Sequence, residues 1–286
     1  MKKLGLVLGI FVASAVGLAL AAGRGASPAP KGPPDPAAVS PAPTGESAPQ
    51  VAPSRTGGAM AAIEQAARAK KYLFLFFSKD SLEPTRAMHA VFQGAMAKLA
   101  ERADSLKVDL NDPAEKDVIA KFALDRAPMP LVLALAPNGA ITGGFPTKFE
   151  EKDLLDAFAT PCTEQCMKHL QANKLVLLCV QNPQTKSNNE ALQAVRDFKA
   201  DARFGEATEI VVLDPSDKAE AKFLTDLKVD PATSQAVTAF LAPPGAAIAL
   251  FEGPVTKDAL VKTLETAMSS SCAGGSCGPG GCAPKP

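Results

Sequence analysis

The sequence predicts an α/β protein. Two mixed sheets are expected, each covered by helices on both faces, preceded by an extended linker and followed by a Cys- and Gly-rich tail. Three observations lead there. Continuous apolar runs of strand length, such as Tyr72 to Phe77, alternate with segments whose apolar residues recur every three or four positions. The order of elements in residues 59–160 then recurs in residues 161–268. Finally, 25 prolines and 21 glycines are concentrated towards the two ends, so the core-forming part is shorter than the 286-residue chain.

Taken in order, Met60, Ile63 and Ala67 fall at helical spacing before the Tyr72 to Phe77 strand, whose unbroken apolarity suits a strand covered on both faces. Met88, Val91, Phe92, Ala95, Met96 and Leu99 place a long amphipathic helix over Pro84 to Ala103. A short strand follows at Leu106 to Leu110. Asp112-Pro113-Ala114-Glu115 supplies an N-cap, a proline at the first helical position and a glutamate at the third, starting a helix that runs to Phe122. Leu131 to Leu135, a turn at Asn138-Gly139, and Ala140 to Phe145 form a hairpin, and Glu150 to Ala159 reads as the closing helix.

The second round has a strand at Leu175 to Gln181, a helix at Asn188 to Ala202, a strand at Glu209 to Leu213 and a capped helix from Ser216-Asp217 to Leu227. A hairpin of Gln235 to Leu241 with Ala246 to Glu252 and a helix over Thr256 to Met268 complete it. Two echoes support a duplication. Leu135-Ala136-Pro137 matches Leu241-Ala242-Pro243 at an offset of 106, and Ala120-Lys121-Phe122 matches Ala221-Lys222-Phe223 at 101. The difference implies about five residues added around Asp230 to Gln235, and places Pro130 opposite Ala236.

Met1-Lys2-Lys3 followed by the apolar run Leu4 to Ala22 has the charged start, apolar middle and small-residue exit of a secretory signal, so residues 1–22 direct export. The run is also long enough to span a bilayer, so an uncleaved anchor is the alternative and the one route to a membrane. Residues 23–58, dominated by Pro, Ala, Ser and Gly, form a spacer that cannot bury enough surface to offset its ordering entropy. Thirty acidic and thirty basic residues, no tryptophan and one tyrosine leave no basic aromatic footprint for nucleic acid. A Gly-rich phosphate loop, a Gly-x-Ser-x-Gly elbow and a paired-His motif are all missing from the sequence.

The stretch Arg126-Ala127-Pro128-Met129-Pro130, followed by Leu131 to Leu135, reads as a loop feeding a buried strand, because a proline can open a strand but not sit inside a sheet. With the element order, this junction resembles the thioredoxin family, whose sheet receives its substrate-facing strand just after a cis-proline. The resemblance implies that Pro130 is that cis-proline, with Met129 before it. It also implies a platform on which an extended peptide pairs with the sheet, lined by Asp80, Ser81, Met129 and Pro130. Lys70-Lys71, a basic pair ending the first helix, is similar to one thioredoxin-like group. The second copy, with Ala236 at the matching place, lacks the cis-proline.

In that family a Cys-x-x-Cys pair opens the helix after the central strand, where the helix N-terminus stabilises a thiolate. Here the place reads Phe77-Ser78-Lys79-Asp80-Ser81-Leu82-Glu83-Pro84-Thr85-Arg86. The cysteine positions fall on Ser81 and Pro84 or on Leu82 and Thr85, and neither choice supplies sulfur. The expectation is an exported protein that binds other envelope polypeptides or acts structurally, without disulfide turnover at the usual site.

Six cysteines remain to be explained. Cys179 lies inside a strand and reads as a small core side chain. Cys162, Cys166 and His169 share one helical face at i, i+4 and i+7, and the tail, residues 269–286, adds Cys272, Cys277 and Cys282. Three readings stand for this set: structural disulfides in an oxidising compartment, a thiophilic ion such as copper or zinc held by the cysteines with His169, or a thiol–disulfide oxidoreductase working through Cys162, Cys166 or the tail. His89 has no cysteine or acidic neighbour in sequence and receives no role.

Overall fold

The computed structural model describes residues 58–273. The proposed export segment, nearly all of the spacer, Cys277 and Cys282 lie outside the described residues. Each half folds around its own four-stranded sheet.

In the first half, β1 (Tyr72–Ser78) runs parallel to β2 (Ala103–Asp109) and antiparallel to β3 (Leu131–Leu135), which pairs antiparallel with β4 (Ile141–Pro146), giving the order β2-β1-β3-β4. All seven residues of β1 are buried. Phe74 and Phe76 face α2 (Glu83–Leu99) and α4 (Glu151–Leu155), while Leu73, Leu75 and Phe77 face α1 (Ala59–Arg68) and α3 (Lys116–Phe122). Each of these side chains contributes about 1.5–3 kcal/mol by leaving water. The central strand is thus the main reason this half folds.

The second half repeats the plan: β5 (Leu175–Val180), β6 (Thr208–Leu213), β7 (Val237–Ala242) and β8 (Ala246–Glu252) in the order β6-β5-β7-β8. Its helices are α5 (Pro161–Gln171), α6 (Asn188–Lys199), α7 (Ala221–Asp226) and α8 (Lys257–Ala273), the last running five residues beyond the expected Met268.

Side-chain devices are duplicated along with the strands. Asp112 and Asp217 each accept an N–H two residues on, from Ala114 and Ala219 at 2.9 Å. Glu115 accepts from Ala59 N–H at the start of α1, and Glu220 accepts from Cys162 N–H at the start of α5. Lys71 pairs with Asp104 as Lys174 pairs with Glu209. These pairs correct the sequence alignment. Asp112 and Asp217, like Glu115 and Glu220, stand 105 residues apart, as do the left-handed residues Ala123 and Lys228 just after α3 and α7. The Ala-Lys-Phe echo at 101 is therefore out of register by four residues, and one residue rather than five is added before β7. Ala236 still falls opposite Pro130, directly ahead of β7.

Several bounds differ from expectation: α2 ends at Leu99 rather than Ala103, and β2 opens at Ala103 rather than Leu106. Two further differences bear on packing. The helix read over Glu150 to Ala159 stops at Leu155. Beyond it the Tyr72 hydroxyl accepts the Ala159 N–H at 2.9 Å, Phe158 packs on Tyr72 and Phe74, and Pro161 disfavours helical geometry in the residue before it. The other is α5, which serves both halves. Cys162, Cys166 and Leu170 enter the core of the second sheet, whereas Met167 is buried in that of the first. From the same side as Met167, Glu164 accepts from the Tyr72 hydroxyl, and the Gln171 amide bonds both the N–H and the C=O of Ile141 at 2.9 and 2.7 Å.

Candidate functional site

The β1–α2 loop and the segment entering β3 meet at one end of the first sheet. Phe77 is in register with Leu131, so the ladder brings Met129 and Pro130 alongside Lys79 and Ser78. The Met129-Pro130 bond is cis. Pro130 is buried and its C=O accepts the Thr147 N–H at 2.6 Å, while Met129 is half-buried against the α1 and α3 side of the core.

Across from them, the Asp80 carboxylate accepts the Leu82 N–H at 3.1 Å and the Thr85 hydroxyl at 2.8 Å. Asp80 thereby closes the turn that starts α2, in the manner of an Asx turn. Ser81 is exposed and Leu82 is 67% exposed, although it is a large apolar side chain. Thr85 is buried beneath the loop. The two placements that the resemblance allowed for a thiol pair thus carry Ser81 with Pro84 or Leu82 with Thr85.

Beside the loop lies an open cavity of about 250 Å³ lined by Ser81, Thr85, Arg86, His89, Gln93 and Lys107. His89 packs edge-on against Phe76 and stacks with Phe92. Burial, with the Lys107 charge second, holds its imidazole below the usual histidine range. Sequence reasoning gave His89 no place; the signal available was the spacing of Thr85, His89 and Gln93, which repeat every four residues along one face of α2, with Ser81 one step earlier in the loop before it.

The cysteines occupy another region. Cys162 and Cys166 are 9% and 2% exposed, and packed in the second core. A hydrogen bond to Cys166, then burial, then the nearby charges including Glu220 push the Cys162 thiol far above the usual range, the opposite of an activated thiolate. Burial also pushes Cys179 up to about 11; it lies in β5 opposite Thr238, as a core side chain. His169 is half-buried, held below its usual value chiefly by burial, with Glu209, Lys174, Lys168 and Lys199 as its charged neighbours. Among the described residues no three His, Cys, Asp or Glu side chains converge as a metal site would require. Of the predicted set, the Cys162 and Cys166 sulfurs come together, and among the described residues the His169 imidazole does not complete a metal site with them. Cys272 falls in the last turn of α8. The second cis bond, Pro243-Pro244, lies in the β7–β8 turn, away from Ala236.

No family model matches the sequence, and no curated protein matches it. Similar solved structures include the first two thioredoxin domains of Saccharomyces cerevisiae Eps1p, at 12% identity over 76% of this chain and 99% of that one, with a TM-score of 0.30. Human ERp44 is 12% identical over 78% of this chain and 59% of that one, at 0.34, and a disulphide isomerase from Xylella fastidiosa is 17% identical over 34% and 82%, at 0.28. The strand order and the crossover helices define the chain as a tandem thioredoxin-fold protein.

Proposed function

We propose that this is an exported protein of the cell envelope that binds extended polypeptide segments at the end of its first sheet and does not exchange disulfides there. The observation that carries the reading is the cis Met129-Pro130 junction set beside a β1–α2 loop that has Ser81 and an outward Leu82 and no thiol. A peptide laid along Met129 would find main-chain groups to pair with, and apolar contact from Met129 and Leu82. Asp80, bonded within its own loop, shapes the platform rather than reaching for the peptide. Residues 4–22 carry the chain out of the cytoplasm and are then removed or kept as the anchor.

Two measurements test this. With dithiothreitol as reductant, the full chain should leave insulin reduction at the uncatalysed rate, and strong acceleration would overturn the non-catalytic half. Titration with a set of unfolded, thiol-free peptides should show binding that Leu82→Asp weakens roughly tenfold, about 1.4 kcal/mol. Because Leu82 is exposed and stands at the N-cap of α2, where an Asp is favoured, the melting temperature should not fall; unchanged binding by Leu82→Asp and by Met129→Ala would remove the site.

A further inference from the structure

Among the described residues, the duplication leaves one sheet edge closed and its counterpart without a partner. In the first half, β4 is the edge strand, and just before the register shift in its ladder, which β8 repeats, Ile141 presents an outward N–H and C=O. The Gln171 amide takes both. Gly143, Gly144 and Pro146 weaken the rest of β4 as a pairing surface.

The corresponding edge is β8, where Ala247 takes the place of Ile141, paired with Leu241 as Ile141 is with Leu135. Among the described residues no hydrogen bond reaches the outer side of β8. Ile248-Ala249-Leu250-Phe251 has no glycine, proline or charge, and Leu250 is 41% exposed. Natural edges of this kind are protected or used.

We propose that β8 pairs antiparallel with β8 of a second copy of this chain, about a twofold axis at Leu250, joining two four-stranded sheets into one of eight. The unmet groups are main-chain N–H and C=O, which a strand satisfies and an apolar surface does not. The strand also complements itself. Centred on Leu250, the small Ala249 faces the large Phe251 of the other copy, and Leu250 faces its own counterpart. Glu252, the one charge of the strand, falls opposite Ile248, so no like charges meet; a parallel arrangement would set Glu252 against Glu252. The unbroken register from Ala249 to Glu252 against β7 keeps this segment straight enough to extend the sheet.

The test uses the full chain. Light scattering should give twice the monomer mass, and Leu250→Lys should halve it without lowering the melting temperature. A short bis-maleimide should cross-link Leu250→Cys into a covalent dimer well above the background set by the native cysteines, whereas Ala246→Cys, out of register, stays at background. A monomeric parent, a dimer indifferent to Leu250→Lys, equal cross-linking at both positions, or an adduct joining Leu250→Cys to a different polypeptide would each overturn the proposal.

Discussion

Replacing Glu220 by alanine should be among the most damaging single changes in the second half. The residue is 3% exposed, its carboxylate accepts the Cys162 N–H at 2.9 Å and the Thr160 hydroxyl, and it sits where the positive end of α5 favours an anion. Hydrogen bonds to a charged group contribute about 1.5–3 kcal/mol, and the truncation also strands a buried N–H, so the expected loss is about 2–4 kcal/mol. For a unit of this size that lowers the melting midpoint by about 10 °C or more. The same change at the half-buried Glu115, which performs the equivalent task for α1, should cost less because water can replace the lost oxygens. Denaturant unfolding followed by circular dichroism measures both, and amide exchange at Cys162 reports the local opening directly. A loss under about 1 kcal/mol for Glu220→Ala, or a larger loss for Glu115→Ala, would refute the view that burial sets the strength of these two caps.

Other outcomes follow from the same geometry. Met167→Ala empties a site in the first core from a helix that belongs to the second half, and should cost about 2–4 kcal/mol while splitting one unfolding transition into two; a single undivided transition would contradict the coupling. Lys174 first, and Lys199 with it, hold the Glu209 carboxyl at about 2, below its ordinary 4.5. A depressed folded value means the stabilisation is present above about pH 4.5 and is lost as the pH falls towards 2. Glu209→Gln should therefore flatten the fall of stability across that window, and an unchanged acid limb would show the pair to be screened.

The strands were legible because burial on both faces leaves an unbroken apolar run, as in Tyr72 to Phe77 and Leu131 to Leu135. The duplication was legible too, but its register was not. A slip of four residues along a helix returns side chains close to the same face, so Ala-Lys-Phe could match one turn away from its true counterpart. The fixed caps, Asp112 with Asp217 and Glu115 with Glu220, and the left-handed Ala123 and Lys228 exposed the slip. The end of α4 was hidden for a different reason: Leu154, Ala157 and Phe158 have helical spacing, yet Tyr72, 87 residues earlier, holds the Ala159 main chain outside the helix. At the candidate site the residues Met129-Pro130 showed only a loop entering a strand; the cis isomer, which the structure has, was expected through the resemblance alone. The cavity around His89 was not legible, because Lys107 reaches it from a different strand.

The double allegiance of α5 makes the boundary drawn through residues 160 and 161 a poor place to cut. A fragment ending at Thr160 would lose Met167 from its interior, the acceptor of the Tyr72 hydroxyl and the amide that seals Ile141. One ending at Gln171 would keep all three, but would carry Cys162, Cys166 and Leu170 stripped of their cover. Neither half can be excised whole, so rearrangements that shuffle such units through evolution would have to move this pair together.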